Sequence, residues 1–283
     1  MSFESSWAAL RNDARVRLLQ QIASSGAHGR LLLVGGCLRD AALGRETKDL
    51  DLVVERDAAA LAGRYGELTG ATVVRLGGER FAALRVADSG AWIDLLDLEG
   101  TTLDDDLRRR DLTVNAIAVD VASGEVVDPA RGRDDLERQL LRATRAGVFA
   151  EDPLRTLRLA RFALALPGFA VEAETLELAR DAARGLDSVA RERVRDELDR
   201  ILAGPDLGAA LALLERLDVR LFDDEGARLL RVRAASASRL AGTVSVLAAG
   251  DRLPLHWAFV AAAASADPDE ARRRVGEAGH PAS

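Results

Sequence analysis

Apolar and polar positions follow two different rhythms along this chain, and the rhythm changes near residue 132. Before that point apolar residues come mostly in short blocks separated by Gly, Asp or Ser. Residues 5–26 hold apolar positions at helical spacing. LLLVGG (31–36) reads as a short buried strand, and CLRDAALG as one to two helical turns ending at Gly44. DLDLVV (49–54) reads as a strand and 57–69 as a helix. ATVVRLGG, FAALRVA and AWIDLLDL follow as strands with Gly or Asp-Ser-Gly turns between them. TLDDDLRRRDLT predicts a helix, and NAIAVDV with EVVDP a hairpin around Ser123-Gly124.

After 132 the strand signals stop. Helical periodicity is expected over 132–141, 152–166, 172–184, 188–203, 206–218 and 224–236, with two more helices over 238–249 and 254–265. Asp152-Pro153 is a cap followed by proline at the first helical position, and Pro167-Gly168 stops that helix. Residues from about Ala266 are polar and arginine-rich. Strands followed by a run of helices predict an α+β fold class, with a mixed sheet and helices first and an all-α part after it. No internal repeat or low-complexity tract interrupts the order.

Composition narrows the chemistry. A chain of 283 residues, 48% hydrophobic and 30% charged, suits one large or two to three smaller soluble domains. No apolar run reaches the roughly 20 residues of a membrane helix. The N-terminus lacks a basic-then-apolar signal, so the expected location is cytoplasmic with no membrane partner. The single cysteine, Cys37, excludes an internal disulfide and a cysteine-rich metal site. Three scattered histidines leave carboxylates as the plentiful metal ligands. The net charge of −7 speaks against a generally basic nucleic-acid surface, though a sum can hide a local patch.

Against that background VGGCLRDAALGRETKDLDLVV (34–54) is unusually particular. Asp49 and Asp51 lie two apart on a strand, so their carboxylates share a face and repel unless a cation lies between them. Mg²⁺, a hard ion that takes oxygen ligands and suits phosphates, fits that need; a solvated strand edge is the plain alternative. Gly35 and Gly36 stand where strand passes into helix, letting backbone N–H groups approach an anion, with Arg39 one turn on. Asp94, a charge inside the apolar strand AWIDLLDL, is the best third carboxylate for a two-metal site; Asp97 faces the other side. In DDDLRRRDLTVNAIAV, Arg110-Asp111 lies nearest the apolar strand, where Arg110 could grip a triphosphate. In EDPLRTLRLARFALAL, Arg155, Arg158 and Arg161 drift only about 60° per step and form a basic stripe. Leu154, Leu157, Ala160 and Leu164 face a core. Asp152 heads the stripe and could pair with Arg155 to present a donor–acceptor pattern to a base edge; intrahelical ion pairs are the alternative.

VGGCLRD…KDLDLVV, RRRDLTVNAIA, DPARGRDDLERQLLRA and EDPLRTLRLARFA occur in that order over residues 34–163. Together they resemble the class II tRNA nucleotidyltransferase and bacterial poly(A) polymerase family, within the polymerase β-like nucleotidyltransferases. The resemblance implies a catalytic head over 1–143, a helical neck with a nucleotide-recognition helix over 144–204 and a reduced body and tail over 205–283. It implies that Asp49 and Asp51 bind the metals and that Asp94 matches the third catalytic carboxylate. Gly35 belongs to the same glycine turn; Gly36, Arg39 and Arg110 match nucleotide-contacting positions. Asp152 and Arg155 match the pair that reads the incoming base without a template, and Arg158 and Arg161 further nucleotide contacts. The implied reaction adds CMP and/or AMP from CTP and ATP to the 3′ end of tRNA, with Mg²⁺. The alternatives are tailing of other RNA and a non-catalytic RNA- or nucleotide-binding member. The sequence indicates no protein partner.

Two departures bear on this expectation. Only Glu99 to Leu103 separate AWIDLLDL from DDDLRRRD, where most of the family has a longer flexible loop. The loop helps the site switch from C to A, so its shortness favours CC addition. After about residue 220 the helices no longer resemble the family's body, which leaves the grip on the acceptor RNA open.

Overall fold

The structure is a computed structural model that describes residues 3–76, 83–88, 90–98, 102–202 and 206–219. The helices expected over 224–236, 238–249 and 254–265, and the tail from 266, lie outside the described residues. The chain divides into two compact units, Met1–Arg145 and Ala146–Ser283. Among the described residues no helix is long and apolar enough to cross a membrane.

In the first unit the helical stretch expected over 5–26 is two helices, α1 (Phe3–Leu10) and α2 (Ala14–Ala23). The break comes where Asp13 turns extended and its carboxylate accepts the N–H of Arg15 at 2.8 Å, capping α2. Next come β1 (Leu31–Val34), α3 (Gly36–Ala42), β2 (Asp49–Val54), α4 (Ala58–Thr69), β3 (Thr72–Leu76), β4 (Ala83–Asp88) and β5 (Ala91–Asp97). All follow the predicted order. The helix expected through TLDDDLRRRDLT is shorter: α5 (Leu103–Arg108) is capped by the Thr102 hydroxyl and followed by a 3-10 turn over Thr113–Asn115. Its three acids, Asp104 to Asp106, occupy the first turn, where the helix dipole favours them. β6 (Ala118–Asp120) and β7 (Val126–Val127) make the expected hairpin. The helix expected over 132–141 is α6 (Gly132–Glu137); Gln139 then takes φ +53° and the chain extends into β8 (Leu140–Leu141).

The strands form one seven-stranded sheet in the order β3-β4-β5-β2-β1-β6-β7. β2 and β5 run parallel and the remaining pairs antiparallel. α4 packs against β3, β4 and β5 and covers the face that carries Val86, Ile93 and Leu95, all buried. Asp97 points to this side and accepts the Ala58 N–H at 2.8 Å, fixing the start of α4. On the opposite face, Leu107 of α5 joins a cluster with Leu32, Val34, Val53, Ala116 and Ala118. Burying such a leucine contributes about 2–3 kcal/mol. Among the described residues that cover stops short of the Asp49 end of the sheet, where Asp49 is exposed and Trp92 is 39% exposed.

The second unit holds α7 (Val148–Glu151), α8 (Leu154–Ala165), β9 (Ala170–Val171), α9 (Ala173–Ala182), α10 (Arg191–Leu202) and α11 (Leu207–Arg216). α8 is its centre, packed by α7, α9, α10 and α11. Leu154, Leu157 and Ala160 are buried as the periodicity predicts, and so are Thr156, Leu159 and Phe162, because α8 has neighbours on more than one side. Leu164 is only half-buried. α8 gives way at Leu166, before Pro167 and a Gly168 of φ +91°. Strand structure thus persists past 132, in β8 and β9; two-residue strands are too short to register as a period-2 pattern.

Candidate active site

Sheet register sets the carboxylates. Asp51 lies opposite Val34 of β1 on one side and Asp94 of β5 on the other, while Asp49 lies opposite Trp92. Directly paired residues project from the same face, and neighbouring strands are roughly 4.8 Å apart. Asp49, Asp51 and Asp94 therefore share the face turned away from α4. Arg85 of β4 lies opposite Asp94 on that face, and its Nε and Nη2 donate to the two Asp94 oxygens, each at 2.7 Å. The hydrogen bonds to Asp94 raise the Arg85 guanidinium's affinity for its proton against the effect of burial, with further contributions from the charges of Asp94, Asp49 and Asp51.

That arrangement decides how a cation would be held. Among the described residues no three His, Cys, Asp or Glu side chains converge as a metal cage. Mg²⁺ rarely needs one, since it keeps several waters and binds through one or two carboxylates together with substrate phosphates. Asp49 and Asp51 fit that requirement. Asp94 is engaged by Arg85 through both of its oxygens, so a cation drawing on it would compete with that guanidinium. Cys37, buried beside Asp51, has its thiol pushed up to about 12, by burial first and by the Asp51 charge next, so thiolate chemistry is excluded here.

On the β1 side of the carboxylates stands the glycine turn. Gly35 has φ +74° and ψ −130°, and its N–H donates to Ile117 O at 3.3 Å. A Cβ at this position would lie 3.3 Å from Arg110 Nη1 and 3.6 Å from Asp51 Oδ2. Bare backbone thus lies between a cation and the carboxylate. Gly36 opens α3, and a Cβ there would lie 3.6 Å from Arg39 Nη2. Arg39 is buried, its Nη1 donating to Asn115 Oδ1 at 2.6 Å and its Nε and Nη2 to Asp40 at 2.9 Å. Asn115 Nδ2 donates in turn to Asp111 Oδ1 at 3.0 Å. Arg110 Nη2 donates to Asp106 at 3.3 Å, and its buried Nε has no hydrogen-bond partner among the described residues. The segments VGGCLRD and RRRDLTVNA are therefore one network.

In the second unit Asp152 has extended backbone, and one carboxylate oxygen accepts the Leu154 N–H at 3.3 Å, capping α8. The other accepts from Arg193 Nη2 at 3.1 Å. Arg155 Nη1 donates to Val148 O at 3.1 Å. Arg158 and Arg161 lie over the Phe162 ring, 5.6 and 4.4 Å from its centroid. Arg161 Nε donates to the buried Glu197 at 2.7 Å, which also accepts from Arg200 at 3.1 Å. Arg161 thus pairs with α10 and Arg155 with the backbone of α7, contacts between helices that the sequence had not offered.

The structure gathers Gly35, Gly36, Arg39, Asp49, Asp51, Asp94 and Arg110 in the first unit, and Asp152, Arg155, Arg158 and Arg161 in the second. Arg85, Trp92 and Asn115 escaped sequence reasoning. Asn115 stands inside a quoted motif; Arg85 and Trp92 carry no local signal, since only strand register places them beside the carboxylates.

A mixed sheet bearing Asp-x-Asp beside a positive-φ glycine turn and a buried arginine is the head of a polymerase β-like nucleotidyltransferase. Residues 31–142 match the family described as the poly A polymerase head domain, and residues 168–219 the probable RNA and SrmB-binding site of polymerase A. The chain belongs to the tRNA nucleotidyltransferase and bacterial poly(A) polymerase family. Members of the nucleotidyltransferase family generally depend on a divalent metal. The chain is 43% identical over 195 residues to a CC-adding tRNA nucleotidyltransferase of Geobacter sulfurreducens, covering 65% of this chain and 43% of that protein. It is 33% identical over 208 residues to one named alike in Shouchella clausii, covering 71% and 53%. To the multifunctional CCA protein of Xanthomonas campestris it is 41% identical over 212 residues, covering 67% and 52%. The chain spans about half the length of these curated relatives. The fold is that of the Thermotoga maritima CCA-adding enzyme solved with tRNA, at a TM-score of 0.76 and 22% identity over 98% of this chain and 69% of that one. A tRNA-processing enzyme in an apo form aligns at 0.70 and 26%, covering 94% and 74%.

Proposed function

We propose that this protein adds CMP and/or AMP to the 3′ end of tRNA by Mg²⁺-dependent nucleotidyl transfer, without a template. The observation that carries the reading is Asp51 between Gly35 and Arg110 on one side and Asp94 on the other: metal-type oxygens against a bare backbone and a cation. The names of the curated relatives support the tRNA acceptor, and a tRNA acceptor accords with a cytoplasmic location. CC addition is favoured by the five-residue connection, 98–102, between β5 and α5.

In the reaction the terminal 3′-hydroxyl releases its proton to solvent as its oxygen bonds to the α-phosphorus of CTP or ATP, while the bond to the bridging oxygen breaks and pyrophosphate leaves. Asp49 and Asp51 would hold Mg²⁺, which when bound would supply Lewis-acid stabilisation of the developing charge. Gly35 lets the triphosphate approach the backbone closely. Arg110, with its Nε unpaired, and Arg39, set by Asn115, bind phosphate oxygens. Asp152 and Arg155 read the base edge, and Arg158 and Arg161 hold the nucleotide beside it.

The test is incorporation with Mg²⁺ on tRNAs ending at the discriminator base, after one C, or after CC, with CTP and ATP separately and together. Extension that stops at CC supports CC addition. A full CCA end shows that the short connection suffices for A. Homopolymer tails on generic RNA alone would move the assignment to a poly(A) polymerase, and no incorporation on any RNA to a binding protein. Asp49→Ala or Asp51→Ala abolishes incorporation with the thermal melt unchanged; retained activity would sink the metal assignment.

A further inference from the structure

Trp92 is a large ring left 39% exposed on the carboxylate-bearing face of the first unit's sheet. It lies opposite Asp49 on β2 and Ala87 on β4, and two residues before Asp94 on the same face. The Arg85 guanidinium that holds Asp94 sits 5.1 Å from its centroid. Val74, opposite Arg85 and 44% exposed, continues the apolar surface toward the sheet edge. The carboxylates therefore stand between two unlike neighbourhoods. Toward β1 are bare backbone and Arg110, suited to phosphates; toward β4 are an exposed indole and a guanidinium.

In-line displacement places the attacking and leaving oxygens on opposite sides of the phosphorus. With the triphosphate on the Gly35 side, the attacking strand comes from the Trp92 side. An exposed aromatic ring beside a cation is the usual platform for an unpaired base, because every base has a stacking face and every link a phosphate. We propose that Trp92 and Arg85 form the subsite for the terminal nucleotide of the acceptor RNA, the indole stacking on its base and the guanidinium facing its phosphate. The proposal rests on the nucleotidyl-transfer reading above. Stacking tolerates any base, which suits an end whose last nucleotide changes with each addition.

The experiment compares full-length wild type with Trp92→Phe, Trp92→Leu and Trp92→Ala. It reads the Kd for a tRNA ending at the discriminator base, without nucleotide, and the separate KM values for acceptor and CTP. Trp92→Ala and Trp92→Leu should raise acceptor Kd and KM by about tenfold, with CTP KM unchanged, and Trp92→Phe should recover most of the loss. Since the ring is partly exposed, all three should melt like wild type. Wild-type acceptor binding in Trp92→Ala overturns the subsite, as does Trp92→Leu performing as well as Trp92→Phe, or a loss that falls on CTP KM. A wild-type protein that extends no RNA overturns the underlying reading instead; one that extends RNA with acceptor KM insensitive to Trp92 overturns the subsite alone.

Discussion

Asp94 shows how a single side chain divides between two partners. Its oxygens are both taken by Arg85, so any divalent ion drawing on Asp94 competes with a guanidinium on the same face. Arg85→Gln removes that competitor together with a positive charge. Mn²⁺ should then bind several-fold more tightly in the absence of nucleotide, measured by calorimetry or the loss of its free EPR signal. Asp94→Asn in the same background should cancel the gain; an unchanged Kd in Arg85→Gln would show that Asp94 is no ligand. Gly35 is a second such residue. Its φ of +74° with ψ of −130° is open to glycine and strained for other residues by on the order of 1–3 kcal/mol. Gly35→Ala also brings a methyl to 3.3 Å from Arg110 Nη1. The variant should lose that much stability in urea and bind CTP more weakly; unaltered CTP binding would remove Gly35 from the phosphate side.

Between elements, particular contacts hold the site in place and can be tested. A Cβ on Gly132, at the start of α6, would lie 2.1 Å from the carbonyl oxygen of Thr113. Backbone cannot yield as a side-chain tip does, so Gly132→Ala should cost at least about 3 kcal/mol, the upper end for overpacking, read from the urea midpoint. The same turn carries Asn115, so the Arg39 network should loosen with it. Asp120 fastens β6 to the start of β1: it accepts from Arg30 Nε at 2.8 Å and from the Ala122 and Ser123 N–H groups at 3.0 and 2.9 Å. Burial opposes its charge, but the Arg30 and Ser123 hydrogen bonds hold its carboxyl below the usual carboxylate value. The unfolded chain therefore binds the proton first as pH falls. The contribution is complete above about pH 4 and is lost as pH drops through the lower folded value. Asp120→Asn should lower Tm at neutral pH yet flatten its decline below pH 4; parallel Tm–pH curves would refute this.

For the molecule as a whole, the proposed labour is split between the two units, with metal and triphosphate chemistry in 1–145 and base selection in the helices after 146. Asp152→Asn separates them cleanly, because asparagine keeps the oxygen that caps α8 while changing the pattern offered to a base. It should blur the CTP/ATP choice and leave turnover on CTP largely intact, whereas Asp49 and Asp51 variants lose turnover altogether. Unchanged selectivity would remove Asp152 from base reading. The sequence alone determined the order of strands and helices, the Asp-x-Asp face and the Gly-Gly turn, because each is a local property: strand parity, a positive φ, a capping aspartate. It ran α6 too far and missed the strands β8 and β9, since two-residue strands have no period to detect. Tertiary structure decided what lies across from what. Arg85 reaches Asp94, and Trp92 reaches the neighbourhood of Asp49, through pairings of β4, β5 and β2 that bring together residues up to 43 positions apart. Arg161 of α8 likewise finds Glu197 only because α10 packs beside it. Register and helix packing are settled by the burial of whole faces, and no stretch of sequence carries that information by itself.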